Sequence, residues 1–204
     1  MDPGLLLRGV VLGFAVAAPV GPIGVLCIRR SLAEGRTVGF VVGLGAATAD
    51  AVYGAVAGFG LTIVSTFLVD QRAWLRLAGG LFLCYLGLRT LVARPPEEAA
   101  EGGRGGGLIG AYASTFFLTL TNPATILSFA AIFAAVSVRT GALTVVPLIV
   151  GVFLGSASWW LLLSTGASLF RGMVGPRGMR TVNVVSGAAI LAFGLAAVGA
   201  GILG

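Results

Sequence analysis

Asp50 is the one charged residue in a run that is otherwise uncharged from Thr37 to Phe67, and every other acid lies in or beside a segment that reads as a loop or terminus. A charge at bilayer depth costs about 3 kcal/mol or more, so it is kept where it binds something or meets a polar partner. Two readings follow. Asp50 can hold a proton or an amine-bearing solute, or it can be a structural carboxylate hydrogen-bonded to Thr48 or to unwound backbone of the first helix. Exchange of a proton for an amine at one carboxylate would make an antiporter.

Two short motifs supply the other chemistry. Pro19-Val-Gly21-Pro22 and Thr121-Asn122-Pro123 interrupt segments otherwise suited to continuous helix. Proline removes a backbone donor and clashes with the carbonyl four residues back, so each site is expected to break or kink its helix. In a membrane the freed amides and carbonyls need protein, water or a bound solute as partner. Asn122 before Pro123 suits the cap and first position of a half-helix; equally, the positive end of that half-helix can hold a substrate carboxylate.

Other chemistries find little support. Histidine is absent, which removes Ser-His catalysis and a His-rich metal site. Lysine is absent too, so there is no phosphate-binding GxxxxGK[ST] motif. A diaspartyl protease needs a second intramembrane acid. The chain is therefore not expected to be an enzyme, and no cofactor is implied. Two rivals stay open: a thiol-redox carrier using Cys27 and Cys84, and export of a divalent cation, for which one aspartate is a thin ligand set. A purely structural or lipid-scrambling protein is a third.

These residues are positioned by elements that composition places in a membrane. Hydrophobic residues make up 57% of the 204, charged residues 10%, and mean hydropathy is +1.04, against about 25% charged in a soluble domain. With about 20 residues per crossing, the chain can span some six times and has little left for a soluble domain. Six apolar segments are marked by their boundaries: Gly4–Ile28, Thr37–Phe67, Trp74–Val92, Leu108–Val138, Ala142–Phe170 and Thr181–Leu203. They are too long for buried strands and lack barrel alternation, so they are expected to be helices. A cleaved secretory signal at Ala15–Ala18 is disfavoured by Asp2, a lone Arg8 and Pro19 after the cut.

All thirteen basic residues are arginines. Nine follow the first, third and fifth segments (Arg29, Arg30, Arg36; Arg89, Arg94, Arg104; Arg171, Arg177, Arg180), and four lie elsewhere (Arg8, Arg72, Arg76, Arg139). The positive-inside rule puts the nine in the cytoplasm and both termini outside. The net charge of +6 is then explained by lipid headgroups, and no nucleic-acid partner is implied.

The glycine-rich, mixed-charge run 94–107 reads as a flexible cytoplasmic linker between two three-helix units, 1–93 and 108–204. Because three is odd, homologous halves would be inverted, as in many secondary transporters. Pro22 lies about 27 Å from Gly4 and Pro123 about 22 Å from Leu108 at helical rise, so both breaks fall past the midplane in opposite senses. Gly39xxxGly43, Gly54xxxGly58 and Gly151xxxGly155 read as close-packing faces, which also permit a homodimer. Matching Gly43 to Gly151 pairs Asp50 with Ser158, and a slip of one GxxxG step pairs it with Leu162. Trp159 and Trp160 point about 100° apart, so at most one is expected to face a cavity.

Ala-Pro-Val-Gly-Pro at 18–22, Arg30-Ser-Leu-Ala-Glu-Gly-Arg36, Gly43-Leu-Gly-Ala-Ala-Thr-Ala-Asp50 and Thr121-Asn-Pro-Ala-Thr-Ile-Leu-Ser-Phe129 together resemble the lysine exporter (LysE) family of amino-acid exporters. The resemblance runs in order over nearly the whole chain. It implies a small all-α inner-membrane protein with six helices that exports amino acids or related solutes on the proton gradient. The family's motifs map onto Gly21 and Pro22, Asp50, and Asn122 and Pro123. Two departures matter. Ser128 stands where members similar to the basic amino-acid exporters carry an acid, and Ala124 where many of the homoserine and threonine type carry lysine. One acid cannot easily neutralise two amino groups, which leans the expectation towards neutral amino acids.

Overall fold

A run of apolar residues long enough to cross a bilayer must satisfy its own backbone, and helices do so within the segment. The computed structural model describes residues 3–19, 21–58, 71–92, 107–122, 125, 126, 128, 129 and 142–202, and these are helical without strands. The helices are α1 (Pro3–Ala17), α2 (Pro22–Glu34), α3 (Arg36–Gly58), α4 (Arg72–Leu91), α5 (Gly107–Leu120), α6 (Ala142–Leu169) and α7 (Pro176–Ile202), with a 3₁₀ turn at Arg171–Met173. The expected linker lies outside the described residues except for Gly107, which starts α5.

Three of these helices, within α3, α6 and α7, are long and apolar enough to span a membrane, and a fourth span results if α1 and α2 are counted together. α5 is a shorter apolar helix. The first segment breaks where its prolines stand: α1 ends at Ala17, α2 starts at Pro22, and the two are bent by 84°. Helix continues past the expected end at Ile28 to Glu34, and Arg30 and Glu34 pair one turn apart on this added stretch. Gly35, at φ +99°, then allows α3 to start one residue later. α7 starts five residues before the expected Thr181, with Pro176 at its first position, where the missing amide costs nothing.

Small residues decide which helices touch. A Cβ on Gly151 would strike the Leu6 carbonyl, and one on Gly155 the Val10 carbonyl, so α1 runs parallel to α6 at backbone contact. α3 runs antiparallel to α6, Gly43 meeting Trp160 and Gly54 meeting Val152. α5 runs parallel to α3, with Tyr112 and Phe116 over Gly45 and Leu120 beside Tyr53. α4 and α7 are antiparallel along their length: Gly80 packs on Gly194 and Val198, Gly87 on Leu191, and Gly187 on Leu91. α2 leans across α3, α6 and α7.

Candidate functional site

The two chain breaks and Asp50 open on one cavity of about 330 Å³. Pro19, Gly21, Pro22, Ile23 and Gly24 contribute from the first break. Thr121 and Asn122 come from the second break, with Thr125 and Ser128 beyond it. Asp50 and Trp160 come from α3 and α6, and Leu83, Leu118 and Phe193 supply apolar wall. The volume is within the range of small-molecule sites, about 300 Å³ upwards, and the mix of an apolar wall with a few convergent polar groups is typical of them.

Each polar group is fixed by its helix. Asp50 is 3% exposed, and its Oδ2 accepts a hydrogen bond of 2.7 Å from the Ser156 hydroxyl. Ser156, fully buried one turn before Trp160 on α6, in turn accepts the indole Nε1–H of Trp160 at 3.1 Å. Gly43 makes room for that indole, because any Cβ there would overlap the Trp160 side chain. Trp159 faces elsewhere and packs edge-on against Phe14 at 5.4 Å, so one tryptophan of the pair faces the cavity.

At the first break Gly21 precedes α2 in extended conformation with no side-chain cap, and Pro22 occupies the first helical position. Among the described residues the first intrahelical bond is from the Val25 amide to the Gly21 carbonyl at 3.1 Å. The amides of Ile23 and Gly24 therefore precede the helical ladder, beside the cavity. At the second break the Leu120 carbonyl accepts the Tyr53 hydroxyl from α3, and the Tyr53 ring stacks on Phe129 at 5.5 Å. The carbonyl that ends α5 thus has a side-chain partner on α3, from a residue one helical turn after Asp50.

Of the residues singled out from sequence, Asp50, Gly21, Pro22, Asn122 and Ser128 line the cavity. Thr48 and Ser158 do not. Thr48 donates to the Leu44 carbonyl of its own helix at 2.8 Å, and Ser158, on an exposed face, donates to Leu154 at 2.7 Å. Pro123 lies outside the described residues. Sequence reasoning missed Ser156 and Tyr53, and it left open which tryptophan counts. The signal for Ser156 was its spacing of four from Trp160, which stacks the two on one face.

The rival chemistries have separate surroundings. Cys27 is buried between α2 and α3 with its thiol towards the Gly39 carbonyl, whereas Cys84 packs on Gly194 of α7. Among the described residues, no three His, Cys, Asp or Glu side chains come together as a metal site.

Comparison with known proteins settles the family. The model of the family described as "LysE type translocator" matches residues 14–201. The chain belongs to the LysE type translocator family. Among curated proteins, this translocator is 30% identical over 198 residues to one named "Putative amino acid efflux protein YcgF" from Bacillus subtilis (strain 168), covering 93% of each chain. It is also 28% identical over 148 residues to "Uncharacterized membrane protein YahN" from Escherichia coli (strain K12), covering 70% of this chain and 65% of that one. No solved structure matches. The matched span contains both breaks, Asp50 and the Ser156–Trp160 pair, in a multi-pass membrane protein.

Proposed function

We propose that the protein is a secondary transporter that exports amino acids, in exchange for protons, across the inner membrane of a bacterial cell. The observation that carries this reading is the convergence of two helix breaks and a buried carboxylate on one cavity. The name of the Bacillus relative, an amino acid efflux protein, supports the direction of transport. Asp50 takes the substrate ammonium when ionised and a proton otherwise. The α2 amino end, with the amides of Ile23 and Gly24, offers donors to the substrate carboxylate, and the partial positive charge of a helix start favours that anion. Asn122 and Thr121 offer polar contacts from the other break. With a single acid and no arginine among the described lining residues, the site suits one amino group and an apolar or small polar side chain.

The architecture we propose is six spans in two inverted repeats, α1–α4 and α5–α7 with the residues between them. Its support is directional. Counterparts in the two halves are α3 and α6, α4 and α7, and α1 and α5. The first two pairs are antiparallel; α1 is parallel to α6 while α5 is parallel to α3, so α1 and α5 oppose as well. Exchange of the halves maps the α1–α6 contact onto the α5–α3 contact. Such a frame lets one half rock against the other around a fixed central site.

The test is flux in proteoliposomes. With an imposed proton gradient, the protein is expected to move one class of amino acid, and Asp50→Asn is expected to lose proton-driven accumulation while still inserting and purifying as the parent does. Undiminished proton coupling in that variant would reject Asp50 as the coupling group. Absence of gradient-driven amino-acid flux from folded parent protein would reject the function.

A further inference from the structure

The Asp50 carboxylate is presented to the cavity through one oxygen only. Oδ2 is occupied by Ser156, and the direction of that bond is fixed by what lies behind it. An indole N–H can donate but never accept, so Trp160 takes one of the two acceptor sites of the Ser156 hydroxyl, and an ionised Oδ2, which can only accept, takes the hydroxyl proton. Without that indole a buried helical serine has another choice, the carbonyl four residues back. Ser158 makes that choice two residues further on. Trp160 is itself seated by the absence of a side chain at Gly43. Among the described residues no donor reaches Oδ1, and no side-chain oxygen there is both buried and unsatisfied, so Oδ1 is the oxygen open to the cavity that Asp50 lines.

From this we infer that proton and substrate ammonium compete for the single atom Oδ1, and that Ser156, held by Trp160, is the positioning residue that makes the competition exclusive. The inference rests on the proposed proton-coupled export and adds its stoichiometry. A carboxylate with two open oxygens can carry a proton on one and an ammonium on the other. With Oδ2 turned to Ser156 and only Oδ1 facing the cavity, binding of the ammonium requires that Oδ1 has lost its proton, and rebinding of a proton from the opposite side requires that the ammonium has left. The substrate departs as the ammonium it arrived as, and one proton crosses in the other direction. The exchange is one for one.

The experiment measures the solute gradient held at zero net flux in proteoliposomes with the membrane potential clamped at zero. One-for-one exchange holds about a tenfold solute gradient per unit of pH difference, and two protons about a hundredfold. The parent is expected at the tenfold value. Ser156→Ala is expected to hold a smaller gradient and to leak protons, Trp160→Phe to fall between, and Ser156→Thr, which keeps the hydroxyl, to restore the parent value. A parent value of a hundredfold would overturn the inference, as would a tenfold gradient held by Ser156→Ala. If Ser156→Ala does not fold, the decision falls to Trp160→Phe against Ser156→Thr: equal coupling in the two overturns it, and a deficit confined to Trp160→Phe supports it. Failure here with Asp50→Asn uncoupled would leave the exporter reading standing and remove only the capped-oxygen device.

Discussion

Gly43 is held by the indole opposite it, since a Cβ at that position would fall on the Trp160 side chain. Overpacking a filled interior costs about 1–3 kcal/mol, and here the strain is relieved by moving the group that holds Ser156. Gly43→Val is therefore expected to lower the melting temperature in detergent by several degrees and to mimic Trp160→Phe in coupling; a stable protein with parental coupling would show that Trp160 need not stay in place. Asp50 was legible in sequence because an acid among apolar residues stands out at once. Ser156 was not, because a serine in an apolar helix is ordinarily satisfied by its own backbone. Aligning GxxxG motifs led to Ser158 instead, and two residues are about 200° of helical turn, which is the far side of α6. Rotational phase, which only packing fixes, separates the serine that meets Asp50 from the one that faces outward.

At the scale of elements, the breaks were legible because proline states where a ladder must fail. The angle was not: 84° between α1 and α2 depends on α2 seating against α3, α6 and α7. Helix ends drifted for a different reason. Arginine at 29, 30, 177 and 180 reads as a boundary in a hydropathy profile, yet each continues its helix, since a long side chain can lay its stem on apolar surface and keep its charge outside. Tyr53 links the elements that matter. It sits on α3 three residues after Asp50 and bonds the Leu120 carbonyl where α5 stops. Removal of the hydroxyl leaves that carbonyl without its donor at a cost of about 1–3 kcal/mol. Tyr53→Phe is expected to destabilise by that amount and to speed hydrogen exchange at the end of α5 while sparing α4 and α7. Uniform exchange across all helices would mean that Tyr53 supports the fold at large and not the second break.

For the whole molecule, Arg29, Arg30, Arg89 and Arg171, four of the arginines expected to share one side, lie at one end of the bundle. Arg29 donates to Asn183 near the start of α7 at 2.9 Å, and Arg171 reaches the end of α2 at the Ala33 carbonyl. Arg76 lies at the other end, with its guanidinium towards the Ala200 carbonyl. Met173 and Trp74 mark the two ends and are both well exposed, at 80% and 71%. The native thiols are poor competitors for labelling, Cys27 being buried and Cys84 packed on α7, and Cys27→Ala/Cys84→Ala removes them. In that double variant, Trp74→Cys is expected to react with a membrane-impermeant maleimide in intact cells, and Met173→Cys only after the inner membrane is opened. The reverse pattern would put the arginine end outside and invert the direction in which each half-helix faces its substrate. The double variant also decides the redox rival: it is expected to transport as the parent does, because two thiols in different helix interfaces have no part in an exchange that runs through Asp50.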